Sequence, residues 1–244
     1  MHGFLGGRGA GPSEVDGTGN RHLLAATGAA GAAFVLVSVL GASPTSALDL
    51  DRAKHTAEAD LQRGSTPWTV VRAAPFLETW VEILRATAAR SGRAVVLGRG
   101  EQPIPFASAA DVAAVVTRAV LDDSLRGRVL EVAGERRTLN ALAAAVQLAD
   151  HPDGGNSGEG RDGRPQPARH VPRPVLRALA VLARPISPSF ARQNRAALVL
   201  DTTDLGAADT AVLDLLGLPA ARGLAEVLGR PVGAPAWSGA GRAG

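Results

Sequence analysis

Residues 34–72 read FVLVSVLGASPTSALDLDRAKHTAEADLQRGSTPWTVVR, and this one stretch is enough to predict a fold class. It opens on a short apolar run, Phe34 to Val39, of the kind found in parallel strands buried on both faces. A helix is predicted from Asp49 to Arg63, where Gly64 stops it, and a second strand from Trp68 to Arg72. A strand, a helix and a strand of these lengths predict a βαβ unit with parallel strands.

The chain continues this alternation on both sides of the unit. A helix is predicted before it, with Ser13 as its N-cap and its end near Gly31. The elements predicted after it are a helix at 76–90, a strand at 94–97, a helix at 108–122 opened by a capping-box-like Ser108 to Asp111, a strand at 129–132 and a helix at 138–149. Residues 1–149 therefore predict an α/β domain with a Rossmann-like, doubly wound parallel sheet.

The rest of the chain predicts a separate, smaller unit. Residues 150–169 are rich in Gly, Asp, Arg and Pro, which indicates a flexible linker. A small C-terminal helical part is predicted over 170–230 and a disordered tail over 231–244. Its first helix, 172–183, combines an apolar face with arginines elsewhere, which suits packing on its own domain or docking on membranes or partners. Packing on its own domain is the expectation here.

Composition excludes several classes of function. The chain has no cysteine, which excludes disulfides, thiolate metal sites and cysteine nucleophiles. Its 26 basic residues barely exceed its 23 acidic ones, and the arginines are scattered without interleaved aromatics, so no nucleic-acid partner is expected. His22, His55 and His170 share no ligand spacing, so no metal site is expected.

The charge-free run from Leu23 to Gly41 leaves two interpretations open. It follows Arg21 and precedes Thr45-Ser46-Ala47, as a signal peptide or spanning helix would. Gly28 and Gly31 interrupt the run and its second half is β-branched, which favours a helix, a glycine stop and a strand. That interpretation predicts a cytoplasmic protein with no membrane partner. The alternative is a non-enzymatic exported or membrane-anchored protein that uses residues 23–41 as its apolar segment.

The glycines near the start do not make a dinucleotide fingerprint. That motif needs a strand before its glycines and a helix N-terminus after them, so that backbone N–H groups face the pyrophosphate. Only Met1 to Leu5 precede the glycines here, and a glycine-rich surface loop is the expectation for Gly6, Gly7, Gly9 and Gly11.

An ordered series of motifs extends from Asn20 to Val132. It consists of Asn20-Arg-His-Leu-Leu, Phe34-Val-Leu-Val-Ser38, Arg52-Ala-Lys54, Trp68-Thr-Val-Val-Arg72-Ala-Ala-Pro75-Phe76, Phe106-Ala-Ser-Ala-Ala-Asp111-Val-Ala and Val129-Leu-Glu-Val132. The series resembles the second half of the NmrA-like atypical short-chain dehydrogenase/reductase family, whose members have a Rossmann fold and bind NAD(P). The resemblance implies NAD(P) as cofactor, an unidentified small-molecule acceptor, and either an NAD(P)H-dependent oxidoreductase or a cofactor sensor.

The resemblance also implies which residues bind the cofactor. Lys54, the sole lysine of the chain, matches the lysine of a Tyr-x-x-x-Lys pair that binds the nicotinamide ribose hydroxyls. Ser38, or else Val39, matches the serine of the preceding strand. The segment lining the nicotinamide pocket corresponds to Ala74, Pro75 and Phe76, and the turn beside the cofactor to Gly3 and Phe4.

Structural explanations exist for the same residues. Lys54 could pair with Asp51 and Glu58 at the helix surface. Ser38 could bond locally as a buried hydroxyl, and Pro75-Phe76 could simply end a strand and start a helix.

The chain departs from the family pattern in two respects. Leu50 stands at the tyrosine position, and since the chain has no tyrosine, no catalytic residue is assigned and proton donation of that type is not expected. The first strands and the glycine-rich phosphate-binding segment have no counterpart, so the domain at 1–149 is expected to be incomplete and impaired. The strand at 34–39 would then present an open edge. We hypothesise that this chain is a truncated product or that its start site is misassigned.

Overall fold

The computed structural model describes residues 10–150, 167–206 and 211–229. Several sequence predictions fall outside these residues: the tail at 231–244, most of the linker at 150–169, and Gly3 and Phe4.

Helices and strands alternate along the first part of the chain. The helices are a π-helical segment (Ser13–Gly19), α1 (Asn20–Ala29), α2 (Asp49–Arg63), α3 (Leu77–Ser91), α4 (Ala109–Leu121), a 3-10 turn (Asp123–Leu125), α5 (Leu139–Asp150), α6 (Arg173–Leu182), α7 (Pro188–Leu200), α8 (Ala211–Leu215) and α9 (Leu224–Leu228). The strands are β1 (Phe34–Val39), β2 (Trp68–Ala73), β3 (Val95–Leu97), β4 (Ile104–Pro105), β5 (Arg128–Val132), β6 (Arg136–Arg137) and β7 (Arg169–Val171).

The main sheet is parallel and has β2 at its centre, between β1 and β5. Leu36 of β1 lies beside Val70 of β2, which in turn lies beside Val129 of β5. Two shorter pairs complete the strand pairing: β3 with β7 in parallel, and β4 with β6 in antiparallel orientation. The predicted α/β fold with a parallel sheet is confirmed, and β1 forms one edge of that sheet.

Helices cover both faces of the main sheet. On one face, α2 packs Ala57 and Leu61 onto Leu36 and Val70. On the other face, α4 contributes Val115 and its neighbours to a cluster with β2 and β5. Burial on both faces explains the nearly continuous apolar run of β2, whereas Val37 of β1 is 38% exposed on the face opposite α2, so β1 is not buried on both faces as expected.

The start of the described chain differs from its prediction. Ser13 is the first residue of the π-helical segment, and the residue before it, Pro12, makes no side-chain capping bond, so the prediction of Ser13 as N-cap is wrong. The apolar run at 23–41 is divided between α1 and β1 by a turn in which Gly31 has φ +62°. Among the described residues, none of the helices combines the length and the apolar content that crossing a membrane requires.

The start of α4 confirms one predicted cap and corrects another. The Ser108 hydroxyl accepts a hydrogen bond from the Ala110 amide, as expected of an N-cap. Asp111 was expected to cap the same turn, but its carboxylate instead accepts from the amide of Arg222, at 2.8 Å, and from its guanidinium. Glu78 of α3 replaces it, accepting from the Ala109 amide. The capping group therefore comes from a neighbouring helix, which the local sequence does not reveal.

The sequence also failed to predict α7. It lies within the predicted helical part at 170–230, and Pro188 occupies its first turn, where the missing N–H costs nothing. The helix ends at Asp201, whose buried carboxylate accepts from the amides of Arg99 and Gly100, both at 2.9 Å, and from the Arg173 guanidinium. This carboxylate joins the C-terminal helices to the loop that follows β3.

Candidate functional site

The buried face of α2 carries two charged residues among its apolar ones. Its buried residues are Lys54, Ala57, Glu58 and Leu61, which are spaced so that they share one side of the helix. Ala57 and Leu61 pack on Leu36 and Val70, and Lys54 is the buried residue nearest the N-terminus of the helix. In a βαβ unit this end of the helix lies beside the carboxyl ends of the strands. Open α/β sheets bind their ligands outside those carboxyl ends.

Lys54 is buried and has two partners. Its ammonium donates to the carbonyl of Val37, at 2.8 Å, and forms an ion pair with Asp16 of the π-helical segment, at 3.0 Å. The expected surface pairs do not form, because Asp51 bonds to Ser46 and Glu58 bonds to Arg72. An ammonium has three donors, so one donor remains for a further acceptor.

Ser38 lies next to the carbonyl that Lys54 binds. Its side chain is 2% exposed and lies on the same side of the sheet as Leu36, the side that α2 covers. Its hydroxyl has no hydrogen-bond partner in the described part of the chain. The predicted local bond of a buried serine is therefore not observed. A buried hydroxyl without a partner is uncommon and calls for an explanation, such as a ligand or an ordered water.

A polar row crosses the sheet at the level of Ser38. The row contains Ser38, Arg72 and Glu131, which are adjacent in register on β1, β2 and β5. Arg72 donates two bonds to the buried Glu58 carboxylate, at 2.7 and 3.1 Å, and one to Glu131, at 3.1 Å. The hydrogen bond to Glu58 is the main cause that raises the pKa of Arg72 above its ordinary value. The bonds to Glu58 and Glu131 hold the Arg72 guanidinium in place beside Ser38.

The segment after β2 lies at the same edge of the sheet. The Ala74 amide continues the ladder by donating to Val132, and its side chain belongs to the core on the α4 side. The Pro75 carbonyl accepts from the Ala107 amide at 3.0 Å, and Phe76 is the residue before α3. Pro75 and Phe76 are half-buried, so both retain surface that a ligand could contact.

Two polar groups lie close together at this edge of the sheet. A hydroxyl without a partner and an ammonium with a spare donor lie at neighbouring positions near the carboxyl end of β1. A cavity of about 10 Å³ lies elsewhere, lined in part by Leu24, Phe34 and Leu61, and holds no more than one water. Within residues 10–150, 167–206 and 211–229, no group of three or more His, Asp or Glu is placed to bind a metal ion.

Sequence reasoning missed Asp16, Glu58 and Arg72 as parts of this site. The signal for Arg72 was a charge inside a strand that otherwise reads Trp-Thr-Val-Val, since a charge at a buried position needs a partner. Asp16 offered no such signal, because the pattern before β1 does not reveal how its helix packs on α2.

Several solved structures have a similar fold. The NADPH-dependent quinone oxidoreductase of Escherichia coli in complex with NADPH has a TM-score of 0.66 and 22% identity, over 86% of this chain and 69% of that one. A nucleoside-diphosphate-sugar epimerase of Staphylococcus aureus has a TM-score of 0.68 and 14% identity, over 86% and 69%. The triphenylmethane reductase of Citrobacter sp. complexed with NADP(H) has a TM-score of 0.63 and 14% identity, over 86% and 68%.

No protein-family model matches this sequence, and neither does any curated protein sequence. At 14–22% identity, the likeness to the three solved structures is one of fold. The chain therefore has a Rossmann-like α/β fold with a parallel sheet, as its own strand order indicates.

Proposed function

We propose that this chain is a NAD(P)-binding protein of the NmrA-like atypical short-chain dehydrogenase type. The nicotinamide ribose would lie at the carboxyl end of β1, with Lys54 and Ser38 as its hydrogen-bond partners and Pro75 and Phe76 beside the nicotinamide. The observation that supports this proposal best is the unpartnered Ser38 hydroxyl next to the carbonyl bound by Lys54. Two of the solved structures with this fold are complexes with NADPH or NADP(H).

The charges around the site support a hydroxyl-rich ligand. Lys54 shares its charge with Asp16, and Arg72 shares its charge with Glu58 and Glu131. Both cations already have carboxylate partners, so this end of the sheet suits a neutral ribose better than a phosphate. The Lys54 ammonium would donate its remaining hydrogen bond to a ribose oxygen, and the Ser38 hydroxyl would make its first bond there.

The residue at position 50 restricts the chemistry. When bound, the reduced cofactor supplies a hydride. Leu50 lies one turn before Lys54 on α2, where it offers no proton to an acceptor. An acceptor that needs no tyrosine proton, such as a quinone or a dye, suits this chain, as does cofactor sensing without turnover. The names of the structural neighbours include a quinone oxidoreductase and a triphenylmethane reductase.

The proposal is tested by titrating NADPH and NADH into the protein by calorimetry, with Ser38→Ala as the informative variant. The Ser38 hydroxyl has no hydrogen-bond partner among the described residues, so its removal should leave the melting temperature unchanged or slightly higher. The same change removes one bond to the ribose, and affinity is expected to fall about fivefold.

Thr56→Ala is the matched control, since Thr56 is an exposed hydroxyl on α2 that bonds only to the helix backbone. It should leave the affinity unchanged. Folded wild-type protein that binds neither nucleotide would refute the proposed function. Binding that Ser38→Ala leaves unaltered would remove Ser38 from the site.

A further inference from the structure

The hairpin formed by α6 and α7 has a second apolar face that the described chain does not cover. One side of α6 is buried, through Leu176 and Ala180, as the sequence predicts for a helix that packs on its own domain. The opposite side is also apolar, although it is exposed. Val181 is 62% exposed, Leu182 70%, and Ile186, in the turn before α7, 85%.

Helix geometry makes these side chains one surface. Val175 and Leu182 are seven residues apart and so lie on the same side of α6, with Val181 next to them. Ile186 extends this surface past the end of the helix, and Phe190 continues it onto α7 with 44% exposure. We call these five residues the outer face: Val175, Val181, Leu182, Ile186 and Phe190. Exposed apolar residues scattered singly are ordinary, but five of them within sixteen residues of one helical hairpin indicate an interaction site.

The charges beside the outer face are of one sign. From Arg169 to Leu200 the sequence contains six arginines and no Asp or Glu. Arg177 of α6 and Arg184 of the turn after α6 are exposed among the residues of the outer face. Arg173, in contrast, is bound to Asp201. The outer face is thus an exposed apolar surface with exposed arginines between its residues along the chain.

We infer that the outer face is a docking site for an anionic lipid surface. An amphipathic helix with apolar side chains on one face and arginines beside them lies in the plane of such a surface, with its apolar side chains below the headgroups. Arginine side chains then remain at the level of the anionic headgroups. This mode of binding is peripheral and requires no spanning helix. It departs from the expectation that the chain has no membrane partner.

The charge pattern disfavours a second copy of the chain as the occupant. A symmetric contact would place the same patch on both subunits. Such a contact would bring the arginines of both copies into one interface, with no carboxylate between residues 169 and 200 to balance them. An anionic lipid surface supplies the opposite charge that the patch itself lacks.

Co-sedimentation of the full chain with vesicles tests the inference. The protein is expected to bind vesicles made of equal parts phosphatidylglycerol and phosphatidylcholine, and to bind pure phosphatidylcholine much more weakly. Added salt should weaken the binding, since the charge contribution is screened. The double variant Leu182→Asn with Ile186→Asn should bind at least about tenfold more weakly. Arg177→Gln with Arg184→Gln should lose about tenfold or more on the anionic vesicles alone.

Matched controls are available elsewhere on the surface. Leu121 and Leu148 are 76% and 62% exposed and lie outside the outer face, so Leu121→Asn with Leu148→Asn should bind as the wild type does. Arg90→Gln with Arg128→Gln is the corresponding charge control. All four variants alter exposed side chains, and circular dichroism confirms that each is folded.

Three results would overturn the inference. The first is no binding to anionic vesicles, and the second is equal loss in the variants and their controls. The third is a concentration-dependent dimer, seen by analytical ultracentrifugation and abolished by Leu182→Asn with Ile186→Asn, without vesicle binding. That last result would assign the outer face to a second copy.

Discussion

Replacement of Lys54 by methionine is expected to destabilise the protein by about 3–4 kcal/mol. Lys54 is 8% exposed, and its partner Asp16 is 1% exposed. The substitution keeps the length of the side chain but leaves the buried Asp16 carboxylate without the ammonium and the Val37 carbonyl without its donor. Removing one member of a buried ion pair lowers the free energy of unfolding by more than the pair itself contributes, because the carboxylate stays buried while its cation is lost. Urea unfolding measures the change in free energy.

Two further variants isolate the cause. Arg63→Met removes the cation of the exposed Arg63–Asp60 pair on the same helix, and it should cost no more than about 1 kcal/mol. Adding Asp16→Asn to Lys54→Met should recover part of the loss, because the two residues are directly coupled. Equal losses in Lys54→Met and Arg63→Met would contradict a buried pair between Lys54 and Asp16.

Replacement of Asp201 by alanine is expected to lower the free energy of unfolding by about 3 kcal/mol. The substitution removes the acceptor of the Arg99 and Gly100 amides and of the Arg173 guanidinium. Gly98 lies so close to the Asp201 carboxylate that a Cβ there would overlap it, so the substitution also leaves a gap beside the loop. Thermal unfolding and urea unfolding measure the loss. Asp204→Ala, in an exposed ion pair with Arg136, is the control and should cost less than about 1 kcal/mol.

The Asp201 contacts should also be lost in acid. Burial alone would raise the pKa of this carboxyl, but the hydrogen bonds from Arg173, Arg99 and Gly100 outweigh it and hold the pKa below its usual range. A carboxyl with a lowered pKa stabilises the fold above its unfolded value, near 4, and this contribution disappears as the pH falls through the lowered value. Asp201→Asn should therefore show a weaker loss of stability below about pH 4 than the wild type. An unchanged acid profile would show that Asp201 does not titrate with unfolding.

The sequence was most informative where local signals and packing agree. The bounds of α2 were predicted to the residue, because Asp49 and Asp51 mark its first turn and Gly64 follows its last residue. The strand Phe34–Val39 was also predicted to the residue, from β-branched and apolar residues bounded by glycines. In both segments every local preference points to the same structure, which is the condition under which a sequence specifies its fold.

The failures share a physical cause. Asp111, Asp16 and Asp201 each bind partners on elements far along the chain: Arg222, Lys54 and the Arg99–Gly100 amides. Periodicity and capping rules describe neighbours within one or two turns, so they assign such carboxylates to the nearest helix end. Only the tertiary arrangement decides which distant cation a buried carboxylate meets. The same limit applies to Ser38, because the local sequence does not show that its hydroxyl has no hydrogen-bond partner among the described residues.

Hydrogen–deuterium exchange with saturating NADPH would locate the bound nucleotide on the chain. The predicted result is slower exchange of the amides around Ser38, Lys54 and Phe76, at the carboxyl ends of β1 and β2, with little change in α6 and α7. Slower exchange confined to other parts of the chain, or no change at any amide with NADPH in large excess, would contradict a dinucleotide site at this edge of the sheet.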